Sequence, residues 1–148
     1  MKRKKEILIG LGIITLTVAI YGYQEYTRRN IDLAYGEADY NSQVKTLIKE
    51  FEENEKAANE KFLDKIIAVT GVLKEIIKDD KGYYTAVMGD VNSMLSIRCS
   101  MDSDHQHDSA LLKEGNNITI KGICTGFNAD ELLGSDVILN RCIIQKAD

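Results

Sequence analysis

The chain has 148 residues, 44% of them hydrophobic, and a formal net charge of -4. That is one domain's length, with enough apolar content for a real core. Met1 to Asn30 hold 6 of the 19 basic residues and 2 of the 23 acidic ones, so the remainder has 13 against 21, a net charge of -8. Such a balance excludes a domain that grips phosphates through a broadly basic surface.

Residues 1–6, Met-Lys-Arg-Lys-Lys-Glu, form a basic end, and residues 7–23 an uncharged apolar run from Ile7 to Tyr23. A cationic end followed by such a run enters a bilayer. A cleaved secretory signal and a retained transmembrane anchor compete here. Only Thr17-Val18-Ala19 fits a cleavage site, and poorly, while Tyr21, Tyr23 and Tyr26 stand where an aromatic belt would meet the far interface, which favours the anchor. The basic residues ahead of the run keep the amino terminus in the cytoplasm. The expected location is therefore the cytoplasmic membrane, single-pass, with the carboxy-terminal domain extracytoplasmic (periplasmic in a Gram-negative cell), where disulfides persist.

Residues 24–40 are polar and read as a tether, and residues 41–148 as the folded domain. A helix opens at Asn41 or Ser42, carries Val44, Leu47, Ile48, Phe51, Ala58 and Phe62 on one face with acidic residues on the other, and ends near Asp64. Lys65 to Lys78 reads as one long strand that bends at Gly71. Apolar residues at both parities, Ile66, Ala68 and Val72 against Ile67, Val69 and Leu73, predict burial on both sides of its first half. Asp79-Asp80-Lys81-Gly82 is a turn, Tyr83 to Met88 the second strand, Gly89 to Ser93 a second turn and Met94 to Cys99 the third strand. Ser103 to Leu112 fits a short helix. Asn117 to Cys124 is the fourth strand, with Gly122 suited to a bulge or close approach. Gly126 to Asp136 reads as an acidic loop holding a helical turn at Asp130 to Leu133, and Val137 to Ile144 as the fifth strand. Three strands, a helix and two strands is the order of a five-stranded Greek-key barrel, the OB-fold.

Two stretches resemble the bacterial tRNA-anti-like family of OB-fold proteins. The first is Phe51 to Phe62 with Lys65 and Val69-Thr70-Gly71-Val72; the second is Lys121-Gly122-Ile123-Cys124-Thr125-Gly126-Phe127 with Val137-Ile138-Leu139-Asn140-Arg141-Cys142. The likeness covers roughly Asn41 to Ile144. It implies the barrel, agrees with an amino-terminal anchor or lipoprotein signal, and transfers no catalytic residue.

Candidate chemistry is sparse. Met101 to Asp108 contains His105 and His107 among carboxylates, but two residues apart on a helix they point in different directions and cannot share one ion unaided. The three cysteines share strand faces with apolar neighbours, which describes buried thiols or a disulfide rather than a nucleophile. Cys124 with Cys142 is the disulfide expected, although a tight hairpin would set Cys124 opposite about Ile138, and Cys99 could instead reach Cys142. No cofactor, metal or enzymatic activity is expected. The ligand-binding candidates are Lys78, Lys81, Tyr83, Tyr84 and Arg98, set on the strands and loop an OB-fold uses. Opposing them are Asp79 and Asp80 in one loop and Asp130, Glu131 and Asp136 in the other, so nucleic-acid binding is not expected. The reading is a membrane-anchored binding or interaction module whose partner is another envelope protein, with an oligonucleotide-binding domain as the alternative.

Overall fold

The computed structural model describes residues 16–23, 33–130 and 134–145, without the side chains of residues 106–109. The chain divides into two units, Met1–Ile31 and Asp32–Asp148. In the first, residues 16–23 are helical (α1) and solvent-exposed. Among the described residues no helix is long and apolar enough to cross a membrane, and the rest of the Ile7–Tyr23 run lies outside them.

The second unit is mainly β, with elements in the order β1 (Tyr40–Gln43), α2 (Val44–Glu53), α3 (Glu55–Phe62), β2 (Ile66–Lys78), β3 (Tyr84–Met88), β4 (Ser96–Met101), a 3-10 helix (Ser103–Leu111), β5 (Asn117–Asp130) and β6 (Gly134–Gln145). The six strands form one sheet in the order β1-β2-β3-β4-β6-β5, and β2 also pairs with β5. The pairings from β2 through β3, β4, β6 and β5 therefore return to β2. This circuit depends on the length of β2, which pairs with β5 along Ile66–Val72 and with β3 along Leu73–Lys78. β4 and β6 run parallel; the other pairs in the circuit are antiparallel.

β1 adds a sixth strand where the tether was expected to give way to a helix capped by Asn41 or Ser42, and the helix starts only at Val44. The strand lies parallel to the first half of β2, Tyr40 opposite Ile67 and Gln43 opposite Thr70. Of the supposed tether, residues 24–32 lie outside the described residues, while Leu33 is buried and the Gly36 carbonyl accepts a hydrogen bond from the buried Lys121 ammonium at 2.6 Å. One buried apolar side chain and one charge-assisted bond are enough to seat this segment.

The expected helix is broken in two. Asn54 ends α2 and starts α3 with φ -160°, and its side-chain oxygen accepts from the Ala57 N–H at 3.0 Å. Asparagine competes with helical backbone bonding in this way, so a continuous apolar stripe did not guarantee a continuous helix. The stripe itself is as expected: Val44, Leu47, Ile48 and Phe51 of α2 and Ala58 and Phe62 of α3 join the inward strand residues Ile67, Val69, Leu73, Met88, Ile97, Ile120, Val137 and Leu139 in one core. Phe51 stacks between Phe62 and Phe127, with centroids 5.9 and 5.4 Å away, and Tyr40 meets Phe62 edge-on at 5.2 Å.

The acidic loop is also corrected. β5 runs on to Asp130 and β6 starts at Gly134, so Gly126 to Asp136 is mostly hairpin, paired Phe127 with Val137 and Asp130 with Gly134. Asp130 is strand rather than helical turn, and residues 131–133 lie outside the described residues. The third strand is shifted two residues later than expected, and the expected short helix is a 3-10 helix over Ser103–Leu111, interrupted by His105 at φ -113° and ψ 23°.

Candidate functional site

Of the five ligand-binding candidates, the structure gathers the four that surround the β2–β3 turn and leaves Arg98 apart. The turn closes on Asp79, whose Oδ1 accepts from the N–H groups of Lys81 at 2.9 Å and Tyr83 at 2.8 Å, while Gly82 takes the left-handed φ of 89°. Asp79, expected to repel a polyanion, is thus first a turn-former. Lys78 faces Tyr84 across the register and carries its ammonium 5.2 Å from the ring centroid. Tyr84 packs toward the core, and Tyr83 is 45% exposed.

Arg98 lies on the outward face of β4, alternating with the buried Ile97 and Cys99 and opposite Val87 and Ile138. Its Nε donates to Asp136 Oδ2 at 2.6 Å, and the Ser96 hydroxyl donates to the other oxygen of the same carboxylate. Asp136, one of the expected opposing acids, therefore neutralises the candidate cation directly. Lys74 is similarly engaged, its ammonium donating to the Ser93 carbonyl at 2.7 Å. Across β3 and β4 no aromatic side chain faces outward, so the stacking platform that single strands use is missing there.

A feature that sequence reasoning did not find is a cleft of about 750 Å³ where β1 turns into α2 and β3 runs into the following loop, lined by Gln43 to Thr46, Thr70 to Val72, Gly89 to Val91 and Asn117. Its floor follows from β2: Gly71 has no Cβ, and one added there would collide with the Val44 side chain, so the first turn of α2 rests directly on the strand. The wall residues Val72 and Val91 are 41% and 71% exposed, while Lys45 and Asp90 bring opposite charges. Val72 had been expected to share a buried face with Ile66 and Ala68. Ala68 is buried, but that cover ends short of Val72. The readable signal was an apolar run that continues past its covering element.

The cysteines do not form the expected Cys124–Cys142 pair: all three are buried free thiols. The register is the reason. Cys124 stands opposite Leu139, and Cys142 opposite Met101 of β4, with its sulfur in the space left by the missing side chain of Gly122. Burial raises the pKa of Cys124, and it raises that of Cys142 well above the ordinary value, with a contribution from the neighbouring Cys99 thiol. Protonated, enclosed thiols are not nucleophiles. Among the described residues no three His, Cys, Asp or Glu side chains converge to hold a metal ion, and the His107 side chain lies outside them.

The fold resembles that of a lipoprotein from Klebsiella pneumoniae subsp. pneumoniae MGH 78578 to which nucleic-acid binding is ascribed, with a TM-score of 0.56 and 20% identity over 71% of this chain and 91% of that one. Weaker likenesses include asparaginyl-tRNA synthetase from Pyrococcus horikoshii, with a TM-score of 0.37 and 14% identity over 60% of this chain and 21% of that one. The Stn1-ten1 complex of S. pombe gives 0.36 and 15% over 55% and 59%. No curated protein matches the sequence. The family model described as tRNA_anti-like matches residues 1–143, and the chain belongs to that family.

Proposed function

We propose that the domain is an OB-like barrel, held outside the cytoplasmic membrane by its amino-terminal segment, that binds an apolar segment of a partner protein and catalyses nothing. The observation that carries this reading is the cleft beside Gly71, with valines exposed on its wall and charge on its rim. Concave, mostly apolar surface with a few polar groups is where ligands bury area. Support also comes from the outward face of β3 and β4, where Arg98 already answers Asp136. The 17-residue apolar run behind a basic end supports the anchor.

Oligonucleotide binding is the second reading. It is favoured by Lys78, Lys81, Tyr83 and Tyr84 around one turn, and by the binding ascribed to the Klebsiella lipoprotein. Charge weighs against it. A domain of net -8 must bring phosphates past its own field, and one turn offers few cations to repay that. Fluorescence anisotropy with labelled single-stranded DNA and RNA at low salt is expected to show no saturable binding below about 10 μM. A tighter constant that weakens steeply as salt rises would replace the first reading with the second.

A further inference from the structure

We propose that Lys121 anchors a site for a small carboxylate, supplied by a free α-amino acid or by the carboxy-terminal residue of a peptide. Lys121 follows the core residue Ile120 along β5 and has Ala68 of β2 and Ile143 of β6 as its register neighbours. All three members of that row are buried, Lys121 at 6% exposure, and they lie outside the apolar core that holds Ile120. Neither neighbour carries a polar side chain, and a buried ammonium is costly unless it is paired. Its Nζ donates to the Gly36 carbonyl at 2.6 Å, and among the described residues it has no other acceptor. An ammonium carries three N–H groups, so this bond seats the Gly36 segment and leaves two donors and the charge itself unanswered.

Lys121 forms part of the wall of a pocket of about 310 Å³, together with Gly36, Glu37, Ala38, Asn41 and Gln145. This pocket shares no residue with the cleft beside Gly71, so it is a second site and does not rest on the reading of the first. Among the described residues, the side chains of Glu37, Asn41 and Gln145 take part in no hydrogen bond or ion pair. A buried cation and three unengaged polar side chains thus border one space.

The volume is at the lower end for ligand sites, which suits a small molecule or a chain end rather than a folded surface. The charge selects a monoanion. The wall offers one ammonium against one carboxylate, and a phosphate dianion would also meet the net -8 of the chain beyond Asn30. A carboxylate accepts charge-assisted bonds from the unspent N–H groups of Lys121, and the amide N–H groups of Asn41 and Gln145 suit its second oxygen. Glu37, which makes no ion pair with Lys121, is left to receive the ammonium group of an α-amino acid. A peptide's last residue has an uncharged amide in that place, and there the two sources part.

The test is nuclear magnetic resonance of the full chain in detergent micelles, ¹⁵N-labelled at glycine, with the Gly36 amide identified by its loss in Gly36→Ala. The probes are L-alanine, N-acetyl-L-alanine and L-alaninamide. At least one of the two carboxylates is expected to shift the Gly36 resonance saturably, with a dissociation constant of about 1 mM or lower, while L-alaninamide leaves it unmoved. Lys121→Met weakens the carboxylate by about tenfold or more, the loss of a charge-assisted bond. Tighter binding of L-alanine that Glu37→Gln removes assigns the site to free amino acids, and tighter binding of N-acetyl-L-alanine that Glu37→Gln does not weaken assigns it to peptide ends. The proposal is overturned by no saturable shift from either carboxylate, by an equal shift from L-alaninamide, or by undiminished binding to the Lys121→Met chain. Because carboxylate and amide are compared on the unaltered chain, that comparison stands even if Lys121→Met does not fold.

Discussion

Phe51→Ala is expected to lower the unfolding free energy by about 3–5 kcal/mol, the range for removing a fully enclosed aromatic ring. Phe51 is 1% exposed, stacked between Phe62 of α3 and Phe127 of β5, and it joins the α2 stripe to the inward strand residues. The alanine leaves a ring-sized void that three separate elements must move to fill, and packed interiors collapse only partly. For a domain of this size total stability is about 5–15 kcal/mol, so much of it is at stake. Urea unfolding followed by circular dichroism measures the change. Phe51→Leu, which keeps most of the volume, should cost clearly less. A loss under about 1 kcal/mol for the alanine variant would mean that α2 is not part of the domain's core.

Gly71→Ala is expected to cost about 1–3 kcal/mol, and its sign separates two accounts of the glycine. If Gly71 merely lets β2 bend, alanine should be tolerated or even gain about 0.5–1 kcal/mol, since glycine is the poorer residue in a strand interior. In the structure the register irregularity of β2 against β3 lies between Leu73 and Glu75, not at Gly71. What Gly71 provides is contact: an added Cβ would strike Val44 Cγ2. The strain should therefore depend on Val44. In the double variant Val44→Ala with Gly71→Ala, the two changes should cost less together than the sum of each alone, by about 0.5–3 kcal/mol. Additive effects, or a more stable Gly71→Ala, would return the glycine to a bending role.

Much of the sheet was legible because its strands carry their pattern locally. The β-branched run of β2, the turn residues at Asp79 to Gly82 and the apolar alternation of β5 around Ile118 and Ile120 each announce an element without reference to the rest. Gly122 was read as a bulge or a close approach and is both, since the β5–β6 register shifts across it and Cys142 packs on it. What escaped depended on partners far away in the chain. β1 is four residues of polar sequence whose strand state comes from lying along β2, and Leu33 is buried ahead of every strand. Where Cys142 sits turned on a one-residue register shift of β6 against β4, which no side-chain pattern advertises.

The candidate site was less readable than the fold. Lys78, Lys81, Tyr83 and Tyr84 come together because they are close in sequence, whereas the neutralisation of Arg98 by Asp136 required knowing that β4 pairs with β6 from Ser96 opposite Asp136 onward. Asp136 could be named as an opposing acid from charge alone, but not as a direct partner. The cleft was invisible for the same reason: it exists only where the end of β1, the start of α2 and the end of β3 meet along β2.

The most direct test of the binding account is photo-crosslinking in intact cells that produce the full chain, with benzoylphenylalanine placed at Val91 on the cleft wall or, separately, at Tyr83 on the β2–β3 turn. The account predicts a discrete protein adduct from Val91 that is lost when Val72→Lys fills and charges the cleft, together with no nucleic-acid adduct from Tyr83. Nuclease-sensitive adducts from Tyr83, with no discrete protein adduct from Val91, would contradict it.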